Sequence, residues 1–119
     1  MKKEGLPRAA RIRSSREIGR LMRSGKRRRV GPMDVFLVPS AGARPRVGFI
    51  VPLYGHSAVE RNRLRRRLRE IVRREWLPLA WECDPRVDVL IRAREDAYGP
   101  TFKELRAFVR QAMERPCGA

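Results

Sequence analysis

Acidic residues are scarce in this chain. Its 119 residues include 13 Asp and Glu against 29 Lys and Arg, a formal charge of +16. A surface so one-sided calls for a polyanionic partner, and nucleic acid is the default. Histidine is rarer still, since His56 stands alone. Zinc sites draw on several His and Cys residues, so none is expected. Cys83 and Cys117 are the only cysteines. They fit no C-x-x-C pattern and no disulfide framework, and they read as two lone residues. A Cys–His catalytic pair has little support. No two carboxylates stand at a recognisable general acid–base spacing, so phosphodiester cleavage by side chains is not expected. Apolar runs of 18 residues are missing too, which argues against a membrane-spanning helix. The first residues, MKKEGLPRAARIR, are basic but lack the apolar stretch of a signal peptide, so a cytoplasmic location is expected.

What is present is enough for one core. Apolar residues make up 42% of the chain. The expected organisation is a basic N-terminal arm over 1–13, one α/β domain over 14–115 and a loose tail over 116–119. Positive charge is concentrated in two places. Residues 1–30 hold twelve Lys and Arg against Glu4 and Glu17, and residues 61–74 hold eight Arg against Glu70. Residues 75–119 carry seven basic and eight acidic residues, so this third reads as scaffold.

The second concentration lies in Ser57 to Trp76, SAVERNRLRRRLREIVRREW. Leu64, Leu68, Ile71 and Val72 recur at the spacing of a helix buried on one side. Ser57 and Glu60 form a capping box at its start. Pro78 sets its end, because the residue before a proline disfavours the helical region. Stepping 100° per residue from Leu64 places the apolar residues on one face. Asn62, Arg66, Arg69 and Arg73 fall in a stripe with Arg65 at its edge. Arg63, Arg67 and Arg74 lie nearer Glu70, which can pair with Arg66, Arg67 or Arg74. The stripe is therefore expected to have no answering carboxylate. Guanidinium groups spaced along a rigid rod suit successive phosphates, each offering a bidentate fork.

Around this helix the periodicities predict further elements. Ser14 or Ser15 caps a short helix carrying Ile18, Leu21 and Met22, which closes with Gly25 as its C′ residue. Strands are expected from Met33 to Val38, from Arg46 to Val51 and from Val87 to Ile91, with the first two forming an antiparallel hairpin. Thr101 and Glu104 open a last helix whose buried face holds Phe102, Leu105, Phe108, Val109 and Ala112. Phe49 is expected in the core; for Phe36 core and surface both remain open.

Ala58 to Glu70, AVERNRLRRRLRE, strongly resembles the arginine-rich RNR motif of the bacterial ribonuclease P protein subunit. Weaker matches follow in the right order: Leu6-Pro7 with Arg11-Ile12-Arg13, Arg16-Glu17-Ile18 with Gly25-Lys26-Arg27, Arg46-Val47-Gly48, and Val87 to Arg92. The resemblance implies an α+β fold: a two-layer α/β sandwich in the order αβββαβα, with a left-handed βαβ crossover like that of a ribosomal-protein domain. It implies a partner, the catalytic ribonuclease P RNA, which removes the 5′ leader of precursor tRNA with Mg²⁺ held mainly by the RNA and none by the protein alone. No membrane and no obligate protein partner is implied. On this resemblance Arg61, Asn62, Arg63, Arg65, Arg66, Arg67, Arg69 and Arg73 would contact RNA. Arg11, Arg13, Ile18, Met22 and Phe36 would line the leader cleft. The chain departs from the family where Ile18 and Met22 replace aromatics. It departs again where Pro52-Leu53-Tyr54 replaces a lysine-bearing loop; Tyr54 would either stack on RNA or pack against the helix start. The rival readings are a ribosomal-type RNA-binding protein with no role in cleavage, a DNA-binding module and a stand-alone nuclease.

Overall fold

The computed structural model describes residues 6–40 and 42–117. Helix α1 (Ser15–Ser24) precedes strands β1 (Lys26–Val30), β2 (Met33–Pro39) and β3 (Arg46–Ile50). Helix α2 (Ala58–Glu75) and a short α3 (Leu77–Ala80) lead to strand β4 (Val87–Ala93) and helix α4 (Phe102–Ala112). The sheet order is β1-β2-β4-β3. β1–β2 and β2–β4 are antiparallel, whereas β3 and β4 run parallel and are joined through α2.

Strand alternation sorts side chains onto two faces. Val35, Leu37, Val47, Val89 and Ile91 meet Leu64, Leu68, Ile71 and Val72 of α2 and Leu105 and Val109 of α4 in the main core. On the opposite face Phe36 and Leu90 join Ile12 and Leu21, with Ile18, Met22, Val38 and Ile50 packed around them. Thus α2 and α4 cover one face of the sheet and α1 lies on the other.

The hairpin expected between Met33–Val38 and Arg46–Val51 does not form, because β4 inserts between them. β4 is buried at every position except Arg92, so the centre of the sheet suits it best. The actual hairpin joins β1 to β2 through Gly31 and Pro32, pairing Val30 with Met33. Gly31 has φ 55°, and a Cβ there would collide with the Phe108 ring. The basic run Lys26–Arg29 lies outside the expected strands, yet it forms most of β1. It can do so because an edge strand leaves Lys26, Arg27 and Arg29 in solvent, while the half-buried Arg28 donates to the Ala112 carbonyl of α4.

Helix boundaries follow local chemistry. Ser14 accepts from the Glu17 N–H, and both capping boxes are complete, Ser57 with Glu60 and Thr101 with Glu104. Gly25 ends α1 in an extended conformation instead of the left-handed one expected of a C′ glycine. Its requirement is spatial: a Cβ would lie 2.5 Å from the Leu21 carbonyl oxygen and 3.2 Å from Phe36. Trp76, fully buried, closes α2. Pro78 enters the first turn of α3, where a missing N–H costs little.

Of the arm expected over 1–13, residues 1–5 lie outside the described residues. Residues 6–13 run along the body with Leu6, Ala10 and Ile12 buried. Arg11 bridges to Val47 in parallel register, and the Ile12 N–H donates to the Val47 carbonyl at 2.8 Å. The free edge of β3 is closed in this way.

The cysteines are not lone residues: Cys83 and Cys117 form a disulfide with Cα atoms 5.5 Å apart. The fold returns the chain end to the loop after α3, a proximity that spacing alone does not encode. It ties residue 117 of the expected loose tail to the body; 118–119 lie outside the described residues. The bond closes a loop of 34 residues. Loop closure of that length predicts a loss of about 3–4 kcal/mol on reduction. Urea titrations with and without a thiol reductant check this; coincident midpoints would mean that the bond contributes nothing to stability.

Candidate nucleic-acid interface

The α2 arginines do not form one uniform stripe; the fold divides them into three groups. At the C-terminal end, Glu70 receives Arg73 at 2.7 Å and Arg74 at 2.6 Å. The pairing expected for Arg74 is present. Arg73, expected to be unanswered, belongs to the same ion pair, because its i, i+3 offset from Glu70 brings the long side chains together. Hydrogen bonds from Arg73 hold the Glu70 carboxyl below its usual range. Glu75 likewise takes Arg106 and Arg110 of α4, fastening the two helices.

In the second group, Asn62, Arg63 and Arg66 are exposed. Arg61 and Arg67 are half-buried, and the Nε of Arg61 is buried with no acceptor among the described residues.

The third group forms a cleft. Arg65 and Arg69 face Arg11 and Arg13 across a depression of about 160 Å³, also lined by Ile12, Ile18, Val47 and Phe49. Arg11 donates from Nε and Nη2 to the Leu6 carbonyl at 2.9 and 2.7 Å, which fixes its guanidinium. Among the described residues, no carboxylate pairs with Arg11, Arg13, Arg65 or Arg69. Burial lowers the pKa of Arg69, and the charges of Arg11, Arg65 and Arg13 lower it further. Its Nε is buried without an acceptor among the described residues. An anion in this cleft would oppose every one of those effects.

Ile18 lines this arginine cleft. Met22 and Phe36 lie beside it in the α1-side cluster. Phe36 is 3% exposed, and the Arg92 guanidinium stands 5.4 Å from its ring centroid. It is a floor residue and offers no open ring for base stacking. The half-buried aromatic on the cleft is Phe49, expected from the sequence in the core. Phe49 packs against that core but also lines the cleft. Alternation along β3 shows which sheet face Phe49 occupies. It does not show that the N-terminal segment stops short of covering it.

Two buried aspartates support this surface, and no local pattern in the sequence signals their roles. Asp34 is 1% exposed and accepts from Arg92 at 2.9 Å and Arg94 at 3.0 Å, with Arg27 at 3.6 Å. Burial pushes its carboxyl upward, but the hydrogen bonds from Arg92 and Arg94 outweigh this and hold it below the usual value. Asp88, fully buried, accepts from Arg46 at 2.9 Å, and Arg46 also holds Glu17 of α1 at 2.8 Å. Hydrogen bonding to Asp88, then to Glu17, raises the Arg46 pKa further.

The loop entering α2 is pinned by Tyr98, whose hydroxyl donates to the Pro52 carbonyl at 2.6 Å and whose ring stacks on His56 at 3.9 Å. Tyr54 is 43% exposed at φ 49°. Its hydroxyl donates to the Ala93 carbonyl at 3.4 Å. With Arg29 and Arg94 it lines a groove separate from the arginine cleft.

The family model described as Ribonuclease P matches residues 6–117. The ribonuclease P protein component of Roseiflexus sp. (strain RS-1) is 33% identical over 111 residues, covering 92% of this chain and 88% of the relative. That of Kocuria rhizophila is 33% identical over 108 residues, covering 91% and 92%. Among solved structures, the RNase P protein from Thermotoga maritima superposes with a TM-score of 0.74 at 22% identity, covering 88% of this chain and 96% of the other. The Staphylococcus aureus RNase P protein gives 0.75 at 20% identity, covering 90% and 94%.

Two outcomes are expected. Asp34→Asn should destabilise the fold by about 1–3 kcal/mol, since it removes an acceptor from half-exposed arginines. Because the folded pKa of Asp34 is depressed, its contribution is complete above the ordinary carboxylate pKa. It disappears as pH falls through the folded value. Wild type should therefore lose stability relative to Asp34→Asn on acidification, read by denaturant midpoints between pH 6 and pH 2. Separately, Arg65, Arg66 and Arg69 changed together to Ala should flatten the salt dependence of RNA binding by roughly one log–log unit for each phosphate no longer neutralised. An unchanged slope in filter-binding titrations would remove these arginines from the interface.

Proposed function

Because the chain belongs to the ribonuclease P protein family, we propose that the cleft between its N-terminal segment and α2 is where RNA phosphates are held. The family makes it the protein component of an endoribonuclease that matures tRNA 5′ ends, with ribonuclease P RNA as its partner. The observation that carries the proposal is the meeting of Arg11, Arg13, Arg65 and Arg69 without a carboxylate among the described residues. Guanidiniums held this close repel one another unless an anion stands between them.

In this reading the exposed Asn62, Arg63 and Arg66, with Arg61 and Arg67, bind the RNA subunit. The 5′ leader of precursor tRNA lies across Ile18, Met22 and Phe49, with Arg11 and Arg13 at its phosphates. Ile18 and Met22 give apolar contact where aromatics would give stacking, so discrimination among leader bases should be weak. Mg²⁺ is bound by the RNA. Among the described residues no group of His, Cys, Asp and Glu is suited to hold a metal, and Asp34 and Asp88 are both taken by arginines. The chain acts by position and charge: it neutralises phosphates where leader and RNA subunit approach, and so lowers the Mg²⁺ that the RNA requires. The site of action is the cytoplasm. No helix among the described residues is long and apolar enough to cross a membrane.

The test mixes the protein with a bacterial ribonuclease P RNA and a leader-bearing precursor tRNA at low Mg²⁺. Cleavage should be stimulated, and the protein alone should not cleave. Absence of stimulation would sink the proposal, and cleavage without RNA would favour a stand-alone nuclease. Met22→Ala should leave binding of the RNA subunit within about twofold while reducing the preference for leader-bearing substrate over mature tRNA.

A further inference from the structure

Besides Tyr54, a second exposed aromatic stands apart from the arginine cleft. Trp81, at the end of α3, is 41% exposed, whereas Trp76 is fully buried. Two guanidiniums attend its ring, Arg86 at 5.3 Å and Arg44 at 6.0 Å from the centroid. They are not equivalent. Arg86 is half-buried and donates to the Cys83 carbonyl at 2.7 Å, so it is part of the loop. Arg44 is exposed, has no carboxylate partner among the described residues and sits at the outer limit of a cation–π contact. It is the group that can be exchanged for another flat one.

The loop bearing Trp81 is anchored at Cys83 by the disulfide. Just beyond it, Asp84 and Pro85 line a groove of about 490 Å³ together with Lys26, Val38 and Pro39. Val38 in turn packs, as Ile18 and Met22 do, against the cluster of Ile12, Leu21, Phe36 and Leu90. The groove therefore leads from the α1 side of the sheet to the loop that presents the indole. Glu82 and Asp84 are exposed on that loop, so it is a poor bed for phosphates. Recognition there has to use the face of a base, which every nucleotide offers.

We propose that Trp81 is a stacking platform for an unpaired base of single-stranded RNA, with Arg44 moving from the ring to the adjoining phosphate. The ligand class rests on the RNA-binding function above; the site itself is separate from the arginine cleft.

The full chain supplies its own probe, because a ligand at the surface reaches Trp81 and not Trp76. Titration with a single-stranded six-nucleotide oligouridylate or oligoadenylate should quench the exposed part of the fluorescence saturably. Trp81→Ala should weaken binding of a labelled oligonucleotide about tenfold, the scale of one base–aromatic stack. Trp81→Tyr should stay within about threefold of wild type. Binding without quenching, equal affinity in Trp81→Ala, or no binding of the oligonucleotide would each overturn the proposal. Stimulation of ribonuclease P RNA by the same preparation reports on the arginine cleft independently, so the two readings can fail separately.

Discussion

Burial of Leu64, Leu68, Ile71, Val72 and Trp76 against the sheet is the constraint on which the surface depends. A helix with eight arginines is opposed by its own charge, yet neighbouring guanidiniums about 6 Å apart in water repel by only about 0.7 kcal/mol per pair. Each buried side chain contributes roughly 1.5–3 kcal/mol in the other direction. The apolar face wins, and the helix is held as a rod before any partner arrives. The repulsion that persists lies where Arg11 and Arg13 add to Arg65 and Arg69, because no carboxylate among the described residues pairs with them.

Elsewhere acids are supplied. Asp34, Asp88, Glu70 and Glu75 each collect two or more arginines or bridge two elements. Arg46 joins β3, β4 and α1 through Asp88 and Glu17. Such buried or half-buried pairs are weak arguments for net stability, since desolvation offsets much of the attraction. Their effect here is one of allocation. They fix some guanidiniums as structure and leave others for a ligand, a distinction that the net charge conceals.

What the sequence makes legible is local. The periodicity of α2, its capping box and that of α4 depend on residues three or four apart, and all are present as read. The RNR stretch points to the family for the same reason. Sheet pairing depends on contacts distant in the chain. The apolar run Val87 to Ile91 suits a central strand, as β4 is, but nothing near it names β2 and β3 as its neighbours. The strand character of Lys26–Arg29 becomes evident only once that segment is an edge. The Cys83–Cys117 bond needs the whole fold to bring its ends together. At the site, the helical wheel identifies the arginines but not their partners, so it misplaces Arg73. It is equally silent on the covering of Phe36 and the opening beside Phe49.

The two borders of the sheet are finished differently, and this governs how copies of the chain meet. Beside β3, residues 11 and 12 occupy the position that another strand would take. Beside β1 the hydrogen-bonding groups lie among Lys26, Arg27, Arg28 and Arg29. Two molecules approaching along that border would bring the exposed Lys26, Arg27 and Arg29 of each together, so extension of the sheet from chain to chain opposes itself. A polyanionic strand meets no such barrier. The same side chains that discourage pairing between copies therefore leave this border attractive to a polyanion.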